Sequence, residues 1–79
     1  MPTRDLVRGF IRESFLVEEF ADDESFLASG IIDSLGVMQL VAFIEFNFGI
    51  SVSDADLAPE NFDSVERLAA FIERKRRGA

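Results

Sequence analysis

The fold is set by residues 30–36, which read Gly-Ile-Ile-Asp-Ser-Leu-Gly, and by the long apolar run that follows them. Asp33 and Ser34 are both good N-cap residues, because a short side-chain oxygen can accept a hydrogen bond from an unpaired N–H of the first helical turn. Gly49 supplies a natural end. The pattern predicts a helix from about Ser34 to Phe48, with a serine at the end of the dipole that favours an anion.

This helix is apolar on more than one face. The residues at the spacing of a single buried stripe, which we assign to the core, are Val37, Leu40, Val41, Ile44 and Phe48. Met38, Ala42 and Phe46, with Phe43 to one side, fall on the other side of the helix. Two interpretations stay open at this point: the helix is buried all round, or its second face contacts a partner, for which methionine and aromatic residues are typical.

A first helix is predicted from about Thr3, as its N-cap, to Glu18. The residues that share its buried face are Leu6, Val7, Phe10, Ile11, Ser14 and Phe15. Arg4, Arg8 and Arg12 repeat every four residues on another face. We predict that this basic stripe is solvated, and the alternative is that it folds back on the acidic loop that follows.

That loop is expected to run from Glu19 to Ile32 and to be pinned by its apolar side chains, namely Phe20, Phe26, Leu27, Ile31 and Ile32. After Gly49, Ile50 and Val52 are expected to point inward. A short helical turn is predicted at Asp54–Leu57, capped by Ser53 or Asp54, and Pro59 ends or restarts it.

The last helix is predicted to open at Asp63 or Ser64, with Asp63 and Glu66 spaced as a capping box. Its buried stripe consists of Val65, Leu68, Ala69 and Ile72. The cations at 74–77 are expected to form a frayed, solvated end. Three long helices and one short one predict an all-α fold, a small four-helix bundle, with residues 1–79 as a single domain.

Composition narrows the possible functions. The chain has no Cys and no His, and its only Lys is Lys75, so a serine nucleophile has no ordinary activating partner and no metal site is expected. Residues 13–66 hold 13 of the 15 acidic residues and no basic one, which argues against a nucleic-acid binder. No membrane span or secretion signal is visible. We therefore expect a non-enzymatic, monomeric, cytoplasmic protein.

The segment Gly30-Ile-Ile-Asp-Ser-Leu-Gly-Val-Met-Gln-Leu-Val-Ala-Phe-Ile-Glu45 resembles the attachment motif of the acyl carrier and peptidyl carrier protein family. The resemblance extends over nearly all 79 residues in length, helix order and acidic middle. It implies that Ser34 is esterified by 4′-phosphopantetheine, whose thiol carries the cargo. It also implies that Asp33 helps to position the modifying enzyme's Mg²⁺ and cofactor, and that Leu35 and Met38 lie beside the arm. The expected partner contacts are Met38, Gln39, Ala42 and Phe46.

The implied partners are a phosphopantetheinyl transferase, an acyl- or aminoacyl-adenylating ligase, and a downstream acyltransferase or synthase. Many fatty-acid carriers are acidic along the exposed face of this helix, whereas Gly36 and Gln39 are neutral here. That departure favours a stand-alone carrier of a polyketide, peptide or D-alanyl transfer pathway over one of fatty-acid synthesis. The alternative is a helical adaptor, or a degenerate carrier without the prosthetic group, in which Ser34 only caps a helix.

Overall fold

A computed structural model describes residues 2–78, with Ser34 described by its backbone alone. Its α-helices are α1 (Thr3–Phe15), α2 (Phe26–Ser29), α3 (Ser34–Phe48), α4 (Pro59–Phe62) and α5 (Val65–Gly78), and a 3₁₀ turn covers Asp54–Asp56. Residues 2–78 contain no strand. The predicted all-α fold with three long helices is confirmed, although it has more short elements than the single one expected. In the part of the chain described, no helix has both the length and the hydrophobicity to cross a bilayer.

One apolar core joins all three long helices. Its buried residues are Val7 and Ile11 of α1, Leu40 and Ile44 of α3, Val65, Leu68, Phe71 and Ile72 of α5, and Phe20, Phe26, Ile32 and Phe62 from the shorter segments. Phe71 was absent from the predicted stripe of α5. Ile50 and Val52 are partly buried and pack against this core, as predicted. Leu27 is 54% exposed, so its predicted role as a buried pin is wrong.

The limits of α1 differ from those predicted, and its first residue is bonded to α5. At its start, Thr3 Oγ1 donates a 2.6 Å hydrogen bond to the carboxylate of Glu73 near the end of α5. Pro2 occupies the N-cap position, so the prediction that Thr3 is the cap is wrong. The helix ends at Phe15, earlier than the predicted Glu18, because Leu16 adopts a left-handed conformation that stops it.

Two of the three stripe arginines fold onto the loop that follows α1. Arg8 Nη1 donates to the carbonyl of Phe20 at 3.0 Å and forms a 2.5 Å ion pair with Asp22. The same guanidinium lies 4.4 Å from the centroid of the Phe20 ring, and Arg4 also pairs with Asp22, at 3.5 Å. The predicted solvated face is therefore wrong for Arg8, whereas Arg4 stays exposed while it pairs with Asp22. Arg12 is exposed and has no ion pair within the described residues.

The region predicted as one long loop contains α2, which Asp63 fixes from a distance in sequence. The Asp63 carboxylate accepts hydrogen bonds from Ser25 Oγ at 2.5 Å and from the Leu27 N–H at 3.0 Å. The predicted capping box of Asp63 and Glu66 is wrong, because Asp63 bonds α2 instead. The hydroxyl of Ser64 accepts from the first turn of α5.

The turn predicted after Ser53 is confirmed as the 3₁₀ turn, with reciprocal hydrogen bonds between Ser53 and Asp56, and Pro59 opens α4. The end of the last helix was predicted to be frayed and solvated. The fraying is wrong, since α5 continues to Gly78, whereas Arg74, Arg76 and Arg77 are exposed as predicted. Lys75 Nζ lies 2.9 Å from the Asp56 carboxylate. Ion pairing thus joins the end of α5 to the 3₁₀ turn.

Candidate functional site

The first turn of α3 is built by its cap. Asp33 is the N-cap in extended conformation, and its Oδ1 accepts a 2.9 Å hydrogen bond from the Gly36 N–H. Its carbonyl accepts from the Val37 N–H at 3.0 Å. Ser34 is the first helical residue, while its side chain, on which the attachment prediction depends, lies outside the described part. An anion attached at Ser34 would therefore be at the positive end of a 15-residue helix.

Gly36 lies inside the structure rather than on the outer face of α3. A Cβ atom at this position would lie 2.7 Å from Ile32 Cγ2 and 2.8 Å from Phe15 Cε1. The end of α1 and the segment before α3 thus pack directly on the helix backbone beside Ser34. Because Gly36 is buried, its neutrality says nothing about the charge of the exposed face, and counting it as a departure on that face was wrong.

The outer face of α3 is apolar and open to solvent. Leu35, Met38 and Phe46 are 76%, 56% and 89% exposed, and Gln39 and Ala42 are exposed as well. The interpretation that α3 is buried all round is therefore wrong. We call these five residues the α3 face. Phe46 lies 11 residues beyond Leu35, about 16 Å along the helix axis, so the α3 face extends from the first turn to the last.

The opposite side of α3 fills the core. Leu40 and Ile44 are fully buried, while Val37, Val41 and Phe48 of the predicted stripe are only partly buried. The ring of Phe43 stacks on that of Phe10 with centroids 4.2 Å apart. Phe43 therefore belongs with the core side of the helix and leaves the α3 face to the other apolar residues.

Charge is nearly absent from α3, in which Glu45 is the single ionisable residue. The Glu45 carboxylate accepts a 2.9 Å hydrogen bond from the Val52 N–H. This bond ties the connection after Gly49 to the helix, so Glu45 stabilises the fold locally in addition to carrying charge. The α3 face thus offers a partner apolar contact rather than a row of carboxylates.

An apolar cavity of about 90 Å³ lies on the other side of the first turn of α3. Its lining residues come from α2, α3, α4 and their connections: Phe26, Leu27, Ile32, Val37, Leu57, Ala58, Pro59, Phe62 and Asp63. Pockets that enclose a drug-sized ligand usually have about 300–1,000 Å³. The cavity is therefore too small, as it stands, to enclose a long acyl chain.

Two carboxyl groups have environments that favour their charged form. Burial raises the pKa of Asp63, but hydrogen bonds from the Ser25 hydroxyl and the Leu27 N–H outweigh it, so the pKa lies below its ordinary value. The Ser53 N–H, followed by Lys75, lowers the pKa of Asp56. Within residues 2–78, no three acidic side chains converge on a position where they could hold a metal ion.

The structure therefore gathers only part of the predicted site in one place. Asp33 and Leu35 flank Ser34, whereas Ala42 and Phe46 lie further along the helix. Two residues at the end of α1, which packs on the first turn of α3, were not foreseen. Phe15 was assigned simply to the buried face of α1, and Leu16, 89% exposed, was not singled out. No local sequence signal places the end of α1 against Gly36, since that contact depends on helix packing.

Comparison with known proteins gives a family match and several relatives that are named as carrier proteins. Residues 4–72 match the family model described as phosphopantetheine attachment site. A D-alanyl carrier protein of Streptococcus suis (strain 98HAH33) is 26% identical over 74 residues, covering 91% of this chain and 92% of that protein. A D-alanyl carrier protein of Streptococcus equi subsp. zooepidemicus (strain MGCS10565) is 29% identical over 75 residues, covering 92% and 94%.

Proposed function

Because this chain belongs to the phosphopantetheine-attachment family, a family of carriers rather than enzymes, we propose that it is a stand-alone acyl or aminoacyl carrier with Ser34 as its attachment point. Family membership implies a covalent 4′-phosphopantetheine group, whose thiol would hold the cargo as a thioester. The observation that carries the assignment to Ser34 is its position. It follows the N-cap Asp33 directly and opens a 15-residue helix inside the matched segment.

The residues around Ser34 fit such a group. The prosthetic group is joined through a phosphodiester, and the dipole of α3 favours that negative charge at the first turn. Asp33 orders this turn through its bond to Gly36. Leu35, which is 76% exposed, would border the arm with apolar surface. We further propose that Asp33 helps the modifying enzyme to place its Mg²⁺ and cofactor, as the family resemblance implies.

Two observations favour a small cargo. The relatives reported above are named for the D-alanyl group they carry, and the cavity beside α3 is only about 90 Å³. A long acyl chain would have to open that cavity or stay in solvent, whereas an aminoacyl group requires neither. We therefore favour an aminoacyl cargo, supplied by an adenylating ligase, over a fatty-acyl or polyketide one.

The α3 face is proposed as the docking surface, with Met38, Gln39, Ala42 and Phe46 as the partner contacts. Its exposure and lack of charge support contact with an apolar surface on the ligase and on a downstream acyltransferase or synthase. The single domain of residues 1–79, the monomeric state and the cytoplasmic location stay predictions from the sequence.

The experiment that tests the proposal is incubation with coenzyme A and a broad-specificity phosphopantetheinyl transferase, followed by intact-protein mass spectrometry. The wild type should gain one phosphopantetheine, and Ser34→Ala none. Ser29→Ala is the matched control: Ser29 is five residues away and its hydroxyl bonds to the Ser25 carbonyl, so this variant should be modified normally. An unmodified wild type with several transferases would overturn the proposal in favour of an adaptor or degenerate carrier.

The cargo is tested on the modified protein with two adenylating ligases, one specific for D-alanine and one for long-chain fatty acids. Thioester formation with D-alanine supports the aminoacyl assignment. Efficient loading with the fatty acid alone would contradict it while leaving the carrier function intact.

A further inference from the structure

Leu16 combines two features that are unfavourable for a leucine. Its φ and ψ are 55° and 43°, in the left-handed region, which side chains with a Cβ seldom occupy. Its side chain is also 89% exposed, so packing does not compensate for this conformation. Among residues 2–78, Leu16 is the sole non-glycine residue with positive φ.

The other helix ends show what local stability would favour. Both α2 and α3 end in a left-handed residue, and in both cases that residue is a glycine, Gly30 with φ 77° and Gly49 with φ 66°. Glycine meets the same requirement at the end of α1 without a steric cost. A leucine as the left-handed residue at the end of α1 therefore lowers stability relative to glycine and adds an exposed apolar side chain. Backbone strain that packing does not explain is typical of functional positions.

The position of Leu16 connects it with the attachment site. The preceding residue, Phe15, packs on the backbone of Gly36, two residues beyond Ser34. Leu16 therefore stands at the end of α1 that is held against the first turn of α3. An enzyme that acts on the Ser34 hydroxyl approaches this same end of the molecule.

The surroundings of Leu16 indicate the chemistry of the partner surface. Glu13, Glu18 and Glu19 are near neighbours in sequence and exposed, and none of them forms an ion pair within residues 2–78. Arg12 is the one cation in residues 12–19 and is exposed as well, so the three carboxylates leave a net negative charge there. Unpaired carboxylates around an apolar side chain are complemented by an apolar recess with a basic rim. The α3 face, by contrast, has no charge to complement.

We propose that Leu16 is an apolar anchor for the phosphopantetheinyl transferase that modifies Ser34, and that it inserts into a recess of that enzyme bordered by Lys or Arg. The proposal depends on the proposed function, since it assigns a docking residue to the same modification. Docking then has two contributions. The end of α1 supplies an apolar anchor with carboxylates near it, and the α3 face supplies contact without charge. Leu16 is a positioning residue and takes no part in the chemistry at the Ser34 hydroxyl.

The test measures the rate of modification against carrier concentration, with coenzyme A and the transferase that modifies the wild type. Leu16→Gly should raise KM about tenfold, the effect of losing one well-packed contact, with kcat little changed. The same substitution should raise the melting temperature by about 4 °C or more, because glycine relieves the left-handed leucine. A substitution that weakens docking while it raises the melting temperature is not expected at a residue with a purely structural role.

Three further variants isolate the cause. Leu16→Met keeps apolar surface and should keep the wild-type KM, whereas Leu16→Asn tolerates the left-handed backbone but is polar and should resemble Leu16→Gly. Leu6→Asn is the matched control, since Leu6 is a leucine of α1 that is 37% exposed and lies in the first half of the helix. It should leave KM unchanged. The wild-type KM should rise with NaCl, because salt screens the acidic rim.

The outcomes separate this inference from the carrier function. An unmodified wild type overturns both. A wild type that is modified, with Leu16→Gly or Leu16→Asn at the wild-type KM, overturns the anchor alone. A lower melting temperature of Leu16→Gly would show that the leucine stabilises the fold and would remove the reason for the proposal. A KM that is independent of salt would overturn the proposal that Lys or Arg borders the recess on the transferase.

Discussion

Phe15 packs directly on the backbone of Gly36. The position that a Cβ atom would occupy on Gly36 is 2.8 Å from Phe15 Cε1, closer than non-bonded carbons approach. The contact holds the end of α1 beside the first turn of α3, where Asp33 caps the helix and Ser34 opens it. A glycine inside a helix usually weakens it, so its presence here has a packing reason.

The first prediction concerns this contact. Gly36→Ala should lower the free energy of unfolding by about 1–2 kcal/mol, because overpacking costs about 1–3 kcal/mol and the better helix propensity of alanine returns at most about 1 kcal/mol. Gly9→Ala is the matched control in α1, where a Cβ would meet nothing within 4 Å. It should raise stability by about 0.5–1 kcal/mol. Urea unfolding followed by circular dichroism measures the change in unfolding free energy of both variants. Changes of the same sign would refute the packing explanation.

The second prediction concerns the arginines of α1. Arg8→Ala should cost about 1–2 kcal/mol, because Arg8 bonds the Phe20 carbonyl and Asp22 and covers the Phe20 ring. Arg12→Ala should change stability by less than about 0.5 kcal/mol, since Arg12 is exposed. Arg8→Lys should recover only part of the loss, because an ammonium group cannot reproduce the planar contacts. Chemical denaturation of the three variants provides the comparison, and similar losses at positions 8 and 12 would contradict it.

The third prediction concerns docking by the α3 face. Phe46→Ala and Met38→Ala should reduce loading by the adenylating ligase, with a loss of up to about thirtyfold in affinity if either side chain is a central contact. Glu45→Gln should have a smaller effect, since glutamine can still accept from the Val52 N–H and a rim charge acts mainly on association.

Stability measurements decide whether such losses reflect docking. Phe46 is 89% exposed, so Phe46→Ala should keep the wild-type stability within about 0.5 kcal/mol. Phe71→Ala is the contrasting control, because Phe71 is buried and its truncation should cost about 3–5 kcal/mol. If Glu45→Gln impairs loading most, or loading falls steeply with salt while Met38→Ala behaves as wild type, the carrier docks through charge instead.

The fourth prediction concerns acid. The pKa of Asp63 is lowered in the folded state, so its contribution to stability is complete above the unfolded-state pKa of about 4 and is lost as the pH falls through the folded-state value. Asp63→Asn should be less stable at pH 7, because the hydrogen bond from Ser25 and the bond from Leu27 lose a charged acceptor. Its stability should also vary less than that of the wild type between pH 5 and pH 3, as thermal melts across that range would show. If the stability of Asp63→Asn falls as steeply with acid as that of the wild type, other carboxylates, Asp56 among them, determine the pH dependence.

The sequence was most informative where structure is set by neighbouring residues. The limits of α3 follow from an N-cap at Asp33 and a left-handed glycine at position 49, and both signals are local. The 3₁₀ turn after Ser53 and the start of α4 at Pro59 were predictable for the same reason. The attachment motif around Ser34 is also contiguous, and the family comparison supports the carrier assignment made from it.

The errors occurred where a side chain bonds a distant segment. The sequence around α2 holds a local N-cap, Ser25, and a left-handed glycine, Gly30, but a helix of four residues is not predicted from those alone. Its first turn is completed by Asp63, 38 residues from Ser25. The same carboxylate was expected to cap α5, and both uses fit the sequence equally well. Arg8 and Lys75 were expected in solvent for a similar reason, since their partners Asp22 and Asp56 become neighbours only in the folded chain.

By itself, then, the sequence determined the presence of the three long helices, that Ser34 stands at a helix start, and which family the chain resembles. Capping, periodicity and a contiguous motif depend on residues a few positions apart. Tertiary structure decided which of the apolar faces of α3 is open and why Gly36 must lack a side chain. It also packed Phe15, and with it the end of α1 where Leu16 lies, against the first turn of α3. Those properties depend on how α1 and α5 pack against α3, and the same residue pattern allows more than one such packing.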